Sequence, residues 1–314
     1  MVKKPAQIHG VLAVDKPAGW TSRDVVNKAG RWLGEREVGH AGTLDPDATG
    51  VLLLTIGEGG KLVRWLQDAK KTYVTVITLG QATQTDDAAG PVTAQAPVPT
   101  TLDPLQIQAI LDSWRGELLQ VPPQVSALQT DGQRDHERVR RGEVIERPGR
   151  PVWLEHARLI EVNAPDLTLE VTCGAGFYIR SLARDLGVAL GTLGHVKTLR
   201  RTSGGGYPIA QCHALADLLL QTEPARFVEP LLDAAARVLT KVTVEYETAL
   251  HLKQGKLPVI AQHLVDGDCL VVFGDLPIAV CRAETTEQGS KLQVVRGFAW
   301  PLPELEGEAP PLGD

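Results

Sequence analysis

"LTLEVTCGAGFYIRSLARDLG", Leu167 to Gly187, changes its period halfway along. Leu167, Leu169, Val171 and Cys173 alternate with Thr168, Glu170 and Thr172, the period of two that a half-buried strand requires. From Ile179 the apolar residues fall at Ile179, Leu182, Ala183, Leu186 and, three residues past the stretch, Leu190, which is one face of a helix. Between the two patterns, Gly174, Ala175 and Gly176 permit a close backbone turn that presents Tyr178 and Arg180 at the start of the helix. On its own, an aromatic followed by an arginine at a helix start most often means packing plus a surface charge.

The same mixture continues outward in both directions. Ser22 precedes Val25, Val26, Ala29, Trp32 and Leu33 at helical spacing, and Gly34 stops that helix. Asp103-Pro104, then Ile107, Ile110, Leu111 and Trp114, then Gly116, give an N-cap, an N1 proline, a core stripe and a C-terminal glycine in the order a helix uses them. Strands are expected at Val11–Asp15, Tyr73–Leu79, Trp153–Glu161 and Leu167–Cys173. No regular strand–helix repeat joins them, so the class is α+β, with helices flanking a mixed, largely antiparallel sheet. "GPVTAQAPVPTT", Gly90 to Thr101, reads as a loop or extended connector.

A domain boundary is expected near Ala234 to Leu239. Beyond it, short runs at Val242–Tyr246, Leu270–Phe273, Ile278–Arg282 and Leu292–Val295 are separated by turn residues, the pattern of a small β-rich domain. The expected division is residues 1–236, residues 237–300, and a disordered tail at 301–314 that is rich in proline and acid.

Four cysteines (Cys173, Cys212, Cys269, Cys281) lie far apart with no CxxC pair, so the chain offers neither a zinc site nor a disulfide framework, and they read as buried thiols. No apolar run is long enough for a signal core or a bilayer span, which predicts a cytoplasmic protein with no membrane association. The net charge of −6 argues against indiscriminate binding to nucleic acid. That charge is uneven: bases and acids nearly balance up to Arg201, and the acid excess lies beyond it. Arg180, Arg184, Lys197, Arg200 and Arg201 face only Asp185 in their own stretch, a local cluster able to meet phosphate.

"HAGTLDPDATG", His40 to Gly50, is the second candidate for chemistry. Asp-Pro and Thr-Gly are ordinary turn signals. Here, however, His40, Thr43, Asp45 and Thr49 crowd between Gly39, Gly42 and Gly50, directly before the core run Val51 to Leu54, and polar loops held by a rigid sheet are where function concentrates. "KKTYVTVITLG" is the third, with Tyr73 opening a strand.

With "GVLAVDKPAGWTS", "VGHAGTLDPDATGVLLLTIGEGGKLV", "KKTYVTVITLGQATQTDDAAG", "VPPQVSALQTDG", "GAGFYIRSLARDLG" and "GHVKTLRRT" in this order, nearly all of residues 10 to 202 resembles the TruB family of bacterial tRNA pseudouridine-55 synthases. The resemblance implies a pseudouridine synthase core, and a small PUA-like RNA-binding domain at the C-terminus. It implies an isomerase that breaks the C1′–N1 bond of one uridine in the T-arm of tRNA and rejoins C1′ to C5 of the same base, with no cofactor and no metal. Asp45 matches the family's catalytic aspartate, a carboxylate placed against the charge that develops at C1′. Arg180 matches the arginine that pairs with it, and an adjacent guanidinium is expected to lower the carboxyl pKa. Tyr73 matches the tyrosine that stacks on the target base, and Tyr178 a second aromatic of the pocket. His40 resembles the histidine that fills the space left by the extruded base, and Lys16-Pro17 a motif expected to support the site loop. The expected partner is the tRNA T-arm stem-loop, with no guide RNA and no obligate protein partner.

Val125, Gln129 and His136 depart from the family's tyrosine, lysine and tyrosine, while Ser126, Ala127, Gly132, Arg140 and Gly142 agree; Arg134 and Arg138 are candidates to compensate. Asp47 stands where the family often has an apolar residue. Three other readings compete: a hydrolase using Asp45 and Asp47 as a carboxylate pair, an RNA-binding or RNA-folding module without chemistry, and a guide-dependent synthase. Within the synthase reading, covalent capture of C1′ and removal of the 2′ proton both remain open.

Overall fold

The computed structural model describes residues 6–124, 129–130, 133–134 and 148–303. Val125, Ser126, Ala127, Gly132, His136, Arg138, Arg140 and Gly142, and the tail from residue 304, lie outside the described residues, as do the side chains of Gln129 and Arg134.

The expected elements form. Strand β1 (Gly10–Lys16) leads to helix α1 (Ser22–Leu33), closed by a reciprocal capping box between Thr21 and Asp24 and ended by Gly34 at φ +71°. Strands β2 (Val38–Ala41) and β3 (Thr49–Ile56) pair antiparallel, followed by α2 (Val63–Asp68) and β4 (Lys71–Leu79). The stretch after β4 corrects the sequence reading. Val92–Gln95, expected in a connector, is strand β6 and pairs antiparallel with β5 (Gln81–Thr83), because Thr83 and Val92 can share a register that local composition does not reveal. Helix α3 (Pro104–Ser113), strand β7 (Gly116–Gln120), the hairpin β8 (Gln129–Thr130) and β9 (Gln133–Arg134), the long strand β10 (Arg150–Asn163) and β11 (Asp166–Cys173) follow. Helix α4 (Ile179–Ala189) and strand β12 (Gly194–Gly204) complete the elements that carry the candidate residues.

The main sheet of the described residues runs His213–Ala214, β1, β3, β12, β4, β11, β10, β7. Only the pairings of β1 with His213–Ala214 and of β3 with β12 are parallel along that path. The sheet is therefore mixed and largely antiparallel. Its central strands are covered on both sides, which explains their unbroken apolar runs. Leu12, Val14, Leu52 and Leu54 face a core built with α1, α3 and α4, while Val11, Ala13, Val51 and Leu53 face a second one with Leu62, Trp65, Leu66 and Tyr207. Each fully buried aliphatic side chain contributes roughly 1.5–3 kcal/mol.

A second, five-stranded sheet is formed by Thr240–Thr243, Gly267–Phe273, Leu276–Thr286, Gly289–Gly297 and Val259–Ile260. Its strands cover the expected β runs, except that the first ends at Thr243 and Tyr246 opens a helix (Tyr246–Lys253) instead of ending a strand. It is not tethered loosely: Leu270, Val272, Val280 and Phe298 complete the second core, and Trp65 Nε1 donates to Asp268 at 3.0 Å. Cys173, Cys269 and Cys281 are buried free thiols, whereas Cys212 is half-exposed. Among the described residues no helix is long and apolar enough to cross a membrane, and no three His, Cys, Asp or Glu gather as metal ligands would.

Candidate active site

The loop between β2 and β3 is fixed from beneath before it presents any side chain. Lys16 is fully buried, and its ammonium donates to Pro17 O at 2.9 Å, Trp20 O at 2.6 Å and Pro46 O at 2.7 Å. All three of its protons are used. Burial lowers its pKa to about 8 despite the nearby charges of Asp47 and Asp45. Ser22 Oγ donates to Leu44 O and accepts from Leu44 N at 3.1 and 3.0 Å. Ala48 N donates to Asp45 O at 3.1 Å, which closes the turn. At Gly50 (φ +100°) a Cβ would stand 2.1 Å from Arg201 O, so only glycine lets the loop return onto β12. The expectation that Lys16-Pro17 supports this loop therefore has a specific atom behind it, the Pro46 carbonyl.

Asp45 is thereby held against the first turn of α4. Arg180 Nε lies 3.1 Å from Asp45 Oδ2 and its Nη2 lies 3.4 Å from Oδ1. The same guanidinium donates to Thr85 O at 3.0 Å and faces Asp87 Oδ2 at 3.4 Å. The segment that supplies Thr85 and Asp87 is pinned to β12, with Val196 N donating to Asp86 O and Ala88 N to Val196 O. The start of α4 is fixed by Gln120, 2% exposed, whose amide accepts from Tyr178 N at 2.8 Å and donates to Tyr178 O at 3.1 Å.

These elements enclose a cavity of about 270 Å³ whose lining includes Asp45, Lys71, Tyr73, Tyr178, Arg180 and Arg201. Of the five residues singled out from the sequence, Asp45, Tyr73, Tyr178 and Arg180 meet there. His40 does not line it: it stands on β2 opposite Leu54, with its Nδ1 buried and without a hydrogen-bond partner among the described residues. Burial, aided by the charges of Arg23 and Arg201, holds its pKa below 6.5, so it is a neutral ring at neutral pH.

The electrostatics of Asp45 differ from expectation. Its side chain is 42% exposed, yet it lies in the lining of a concavity, where protein atoms surround its carboxyl and desolvate it in part. That burial pushes its carboxyl above the ordinary value of 3.8; Arg180 pulls down, Asp87 pushes up again, and Lys16 and Asp47 add smaller opposing effects. The guanidinium is shared with a second carboxylate, so it offsets the desolvation only in part. Tyr73, 8% exposed, remains an un-ionised phenol because burial raises its pKa.

Lys71 and Arg201 were not singled out as individual site residues by sequence reasoning. Lys71 precedes Tyr73 by two on β4 and so shares its face; its ammonium donates to Gln67 O and, at 2.9 Å, to Ala69 O, and burial lowers its pKa to about 8. Arg201 is opposite Tyr73 in the sheet and donates to Val51 O at 2.6 Å and Gly42 O at 3.1 Å. The period of two would have found Lys71. Arg201 needed the register between β4 and β12.

A family model described as "TruB family pseudouridylate synthase (N terminal domain)" matches residues 30–179, and one described as "tRNA pseudouridylate synthase B C-terminal domain" matches residues 180–243. The chain is 45% identical to the tRNA pseudouridine synthase B of Ruegeria pomeroyi over 81% of its own length and 84% of the relative's. It is 42% identical to that of Roseobacter denitrificans, over 91% and 95%. Among solved structures, a chain of an H/ACA RNP bound to a substrate RNA containing 2'-deoxyuridine superposes with a TM-score of 0.70 at 23% identity, covering 92% of this chain and 85% of that one. A chain of an archaeal box H/ACA sRNP complex gives 0.69 at 23% identity, over 94% and 88%. Those two likenesses concern the fold; the relatives cover most of the sequence and the family models residues 30–243, and by them the chain belongs to the TruB family of pseudouridylate synthases.

Proposed function

We propose that this protein isomerises the uridine at position 55, in the T-arm of tRNA, to pseudouridine, with Asp45 as the catalytic residue. The observation that carries the proposal is the Asp45–Arg180 pair at 3.1 Å, set at the foot of a cavity walled by Tyr73 and Tyr178. A uridine inside a folded arm must leave its stack, at roughly a few kcal/mol. Tyr73 offers the extruded base an aromatic wall that returns part of this. His40, outside the cavity and uncharged, suits the role of a flat ring that occupies the vacated place in the RNA. Asp45 then faces the sugar, where the C1′–N1 bond breaks and the C1′–C5 bond forms. Its carboxylate opposes the positive charge developing at C1′, and Arg180 keeps it oriented and ionised against its buried surroundings. Atoms balance within the base: the proton lost from C5 is matched by one gained at N1, with no outside group.

Residues 1–236 are proposed as the catalytic domain and 237–300 as an RNA-binding appendage of PUA-like type, acting on tRNA without a guide RNA or an obligate partner. Since every proposed catalytic residue precedes Thr240, one chain carries both site and appendage. Incubating the protein alone with unmodified tRNA, and with an isolated T-arm stem-loop, and then mapping pseudouridine base by base tests this. Product at uridine 55 in both substrates is expected; a strict need for a guide RNA or a second protein overturns it.

A further inference from the structure

Helix α1 and strand β2 frame a separate concavity of about 370 Å³, lined by Arg23, Asn27, Arg31, Glu35, Arg36 and Val38 among others. Arg23, Asn27 and Arg31 are four residues apart and therefore stand in one row along α1, successive members roughly 6 Å apart along the axis. Arg36, just past the helix end, closes the far side. All three arginines are exposed, and among the described residues none has a carboxylate within ion-pair distance. The acids closest in sequence are held by other hydrogen bonds, although Glu35 keeps its charge in the lining of the hollow. Asp24 accepts from Thr21 N at 3.0 Å and Thr21 Oγ1 at 2.6 Å in the capping box, and Glu35 accepts from Gln7 N at 2.8 Å and Ile8 N at 3.1 Å. Glu35 and Glu37 offset part of the positive charge.

Three unpaired guanidiniums around one hollow repel one another, and a polyanion relieves that repulsion. The hollow also lies in line with the active site. Val38 lines it at one end of β2, His40 follows two residues on, and Gly42, just past the strand, lines the reaction cavity, a span of about 13 Å at strand rise. Arg23 is close enough to His40 for its charge to act on the imidazole.

We propose that the hollow between α1 and β2 binds backbone phosphates of the RNA whose uridine enters the cavity, an inference that rests on the function proposed above. Arginine suits this task because its planar fork meets phosphate oxygens two at a time, and the capped helix holds the row rigid. Such contacts fix the register of the RNA without reading its bases.

The test uses the full chain with Arg31→Ala and Arg36→Ala combined, leaving Arg23 beside His40 in place. Affinity for unmodified tRNA is measured from low to moderate salt, alongside the single-turnover rate at saturating enzyme and the melting temperature. Loss of two phosphate contacts should weaken binding by about tenfold or more near 0.1 M salt and flatten the slope of log affinity against log salt by about 2, since each contact contributes about 0.9. The saturated rate should stay within about twofold, and lysine at both positions should restore the slope. Unchanged affinity and slope in a folded variant, with the wild type still forming pseudouridine, overturns this inference alone, including the case in which the hollow serves a protein partner. Absence of pseudouridine from the wild-type reaction overturns the functional proposal instead, while the salt slope still reports on the hollow. A fall in saturated rate at unchanged affinity overturns the phosphate-binding inference and not the functional proposal, because it places these arginines in the chemistry.

Discussion

Arg180 and Arg184 stand one turn apart on α4, and both reach the segment Thr85–Asp87, yet they are built for different work. Arg180 is 8% exposed and divides one guanidinium among Asp45, Asp87 and Thr85 O. Arg184 is 30% exposed and joins Asp86 at 3.1 Å, Asp185 at 2.9 Å and Val121 O at 3.0 Å. The first faces a carboxylate that opens onto the cavity. The second faces Asp86, 14% exposed, and Asp185, 42% exposed, neither of which lines the cavity. Residue type and helical position are the same, so the distinction lies in burial and in what the partner carboxylate is free to touch.

The largest effect that the comparison predicts is on the partner of Arg180. Asp45→Asn keeps the shape and removes the charge, so tRNA should still bind while single-turnover pseudouridine formation falls by more than about 1,000-fold, over about 4 kcal/mol. Excess enzyme in that assay keeps weakened binding from being mistaken for lost chemistry. Near wild-type product formation by the variant removes Asp45 from the mechanism.

Arg180→Ala comes next. It leaves Asp45 and Asp87 facing each other without their shared cation, and the expected loss is about 100- to 1,000-fold in the same assay. Arg180→Lys should recover only part, because an ammonium cannot reach Asp45, Asp87 and Thr85 O from one plane. The pH profile sharpens this. Asp45 must be ionised to act and its carboxyl is raised above 3.8, so the wild-type rate should fall as pH drops through a value above 3.8. Removing Arg180 takes away the main downward pull, so the residual activity of Arg180→Ala should be lost at a higher pH still. By linkage, between 3.8 and the raised value the folded protein binds a proton that the unfolded chain has released, so the contribution of this group to stability declines as pH rises across that window.

Arg184→Ala should separate the two arginines. It removes one pair that is largely in water, with Asp185, and one whose carboxylate, Asp86, is mostly buried, so the expected cost is about 1–3 kcal/mol of stability, seen as a lower melting temperature, with a rate within a few-fold of wild type and an unmoved acid limb. An acid limb shifted as far as in Arg180→Ala would mean that the two residues form one unit and that the distinction drawn from burial is wrong.

The contrast also marks what could be read without coordinates. The change of period at Cys173 to Ile179, the helical spacing that follows Ser22 and the alternation of Leu167 to Cys173 are local, and local chemistry placed α1, β11 and α4 correctly. Asp45, Tyr73, Tyr178 and Arg180 were found as candidates, and they meet because β4, α4 and the loop before β3 converge. Gln120, which clamps Tyr178 through both backbone atoms, could not be found that way, since nothing near it in the chain signals a partner 58 residues on. The raised carboxyl of Asp45 was missed for the same reason. Arg180 does lower the Asp45 pKa, but desolvation in the folded site outweighs it and Asp87 adds to the rise, and both the burial and the sharing of Arg180 with Asp87 are matters of tertiary geometry.

The smallest effect is expected at Asp47, and it tests whether "LDPDATG" holds one functional carboxylate or two. Asp47 is exposed, follows the proline whose carbonyl Lys16 holds, and lines the smaller cavity of about 110 Å³ on the other side of Asp45 and Arg180. It touches the chemistry only through space, as one more negative charge that pushes the Asp45 carboxyl upward and helps keep Lys16 charged. Asp47→Leu should therefore fold with stability within about 0.5 kcal/mol of wild type. It should retain most of the single-turnover rate, because no bond to Asp45, Arg180 or the loop depends on its carboxylate. Its one signature should be a small move of the acid limb toward lower pH, the direction that follows from removing a like charge near Asp45. A hydrolase-like pair predicts the opposite: loss of the Asp47 carboxylate would then abolish the reaction in a protein that folds normally, and the acid limb could not be followed at all.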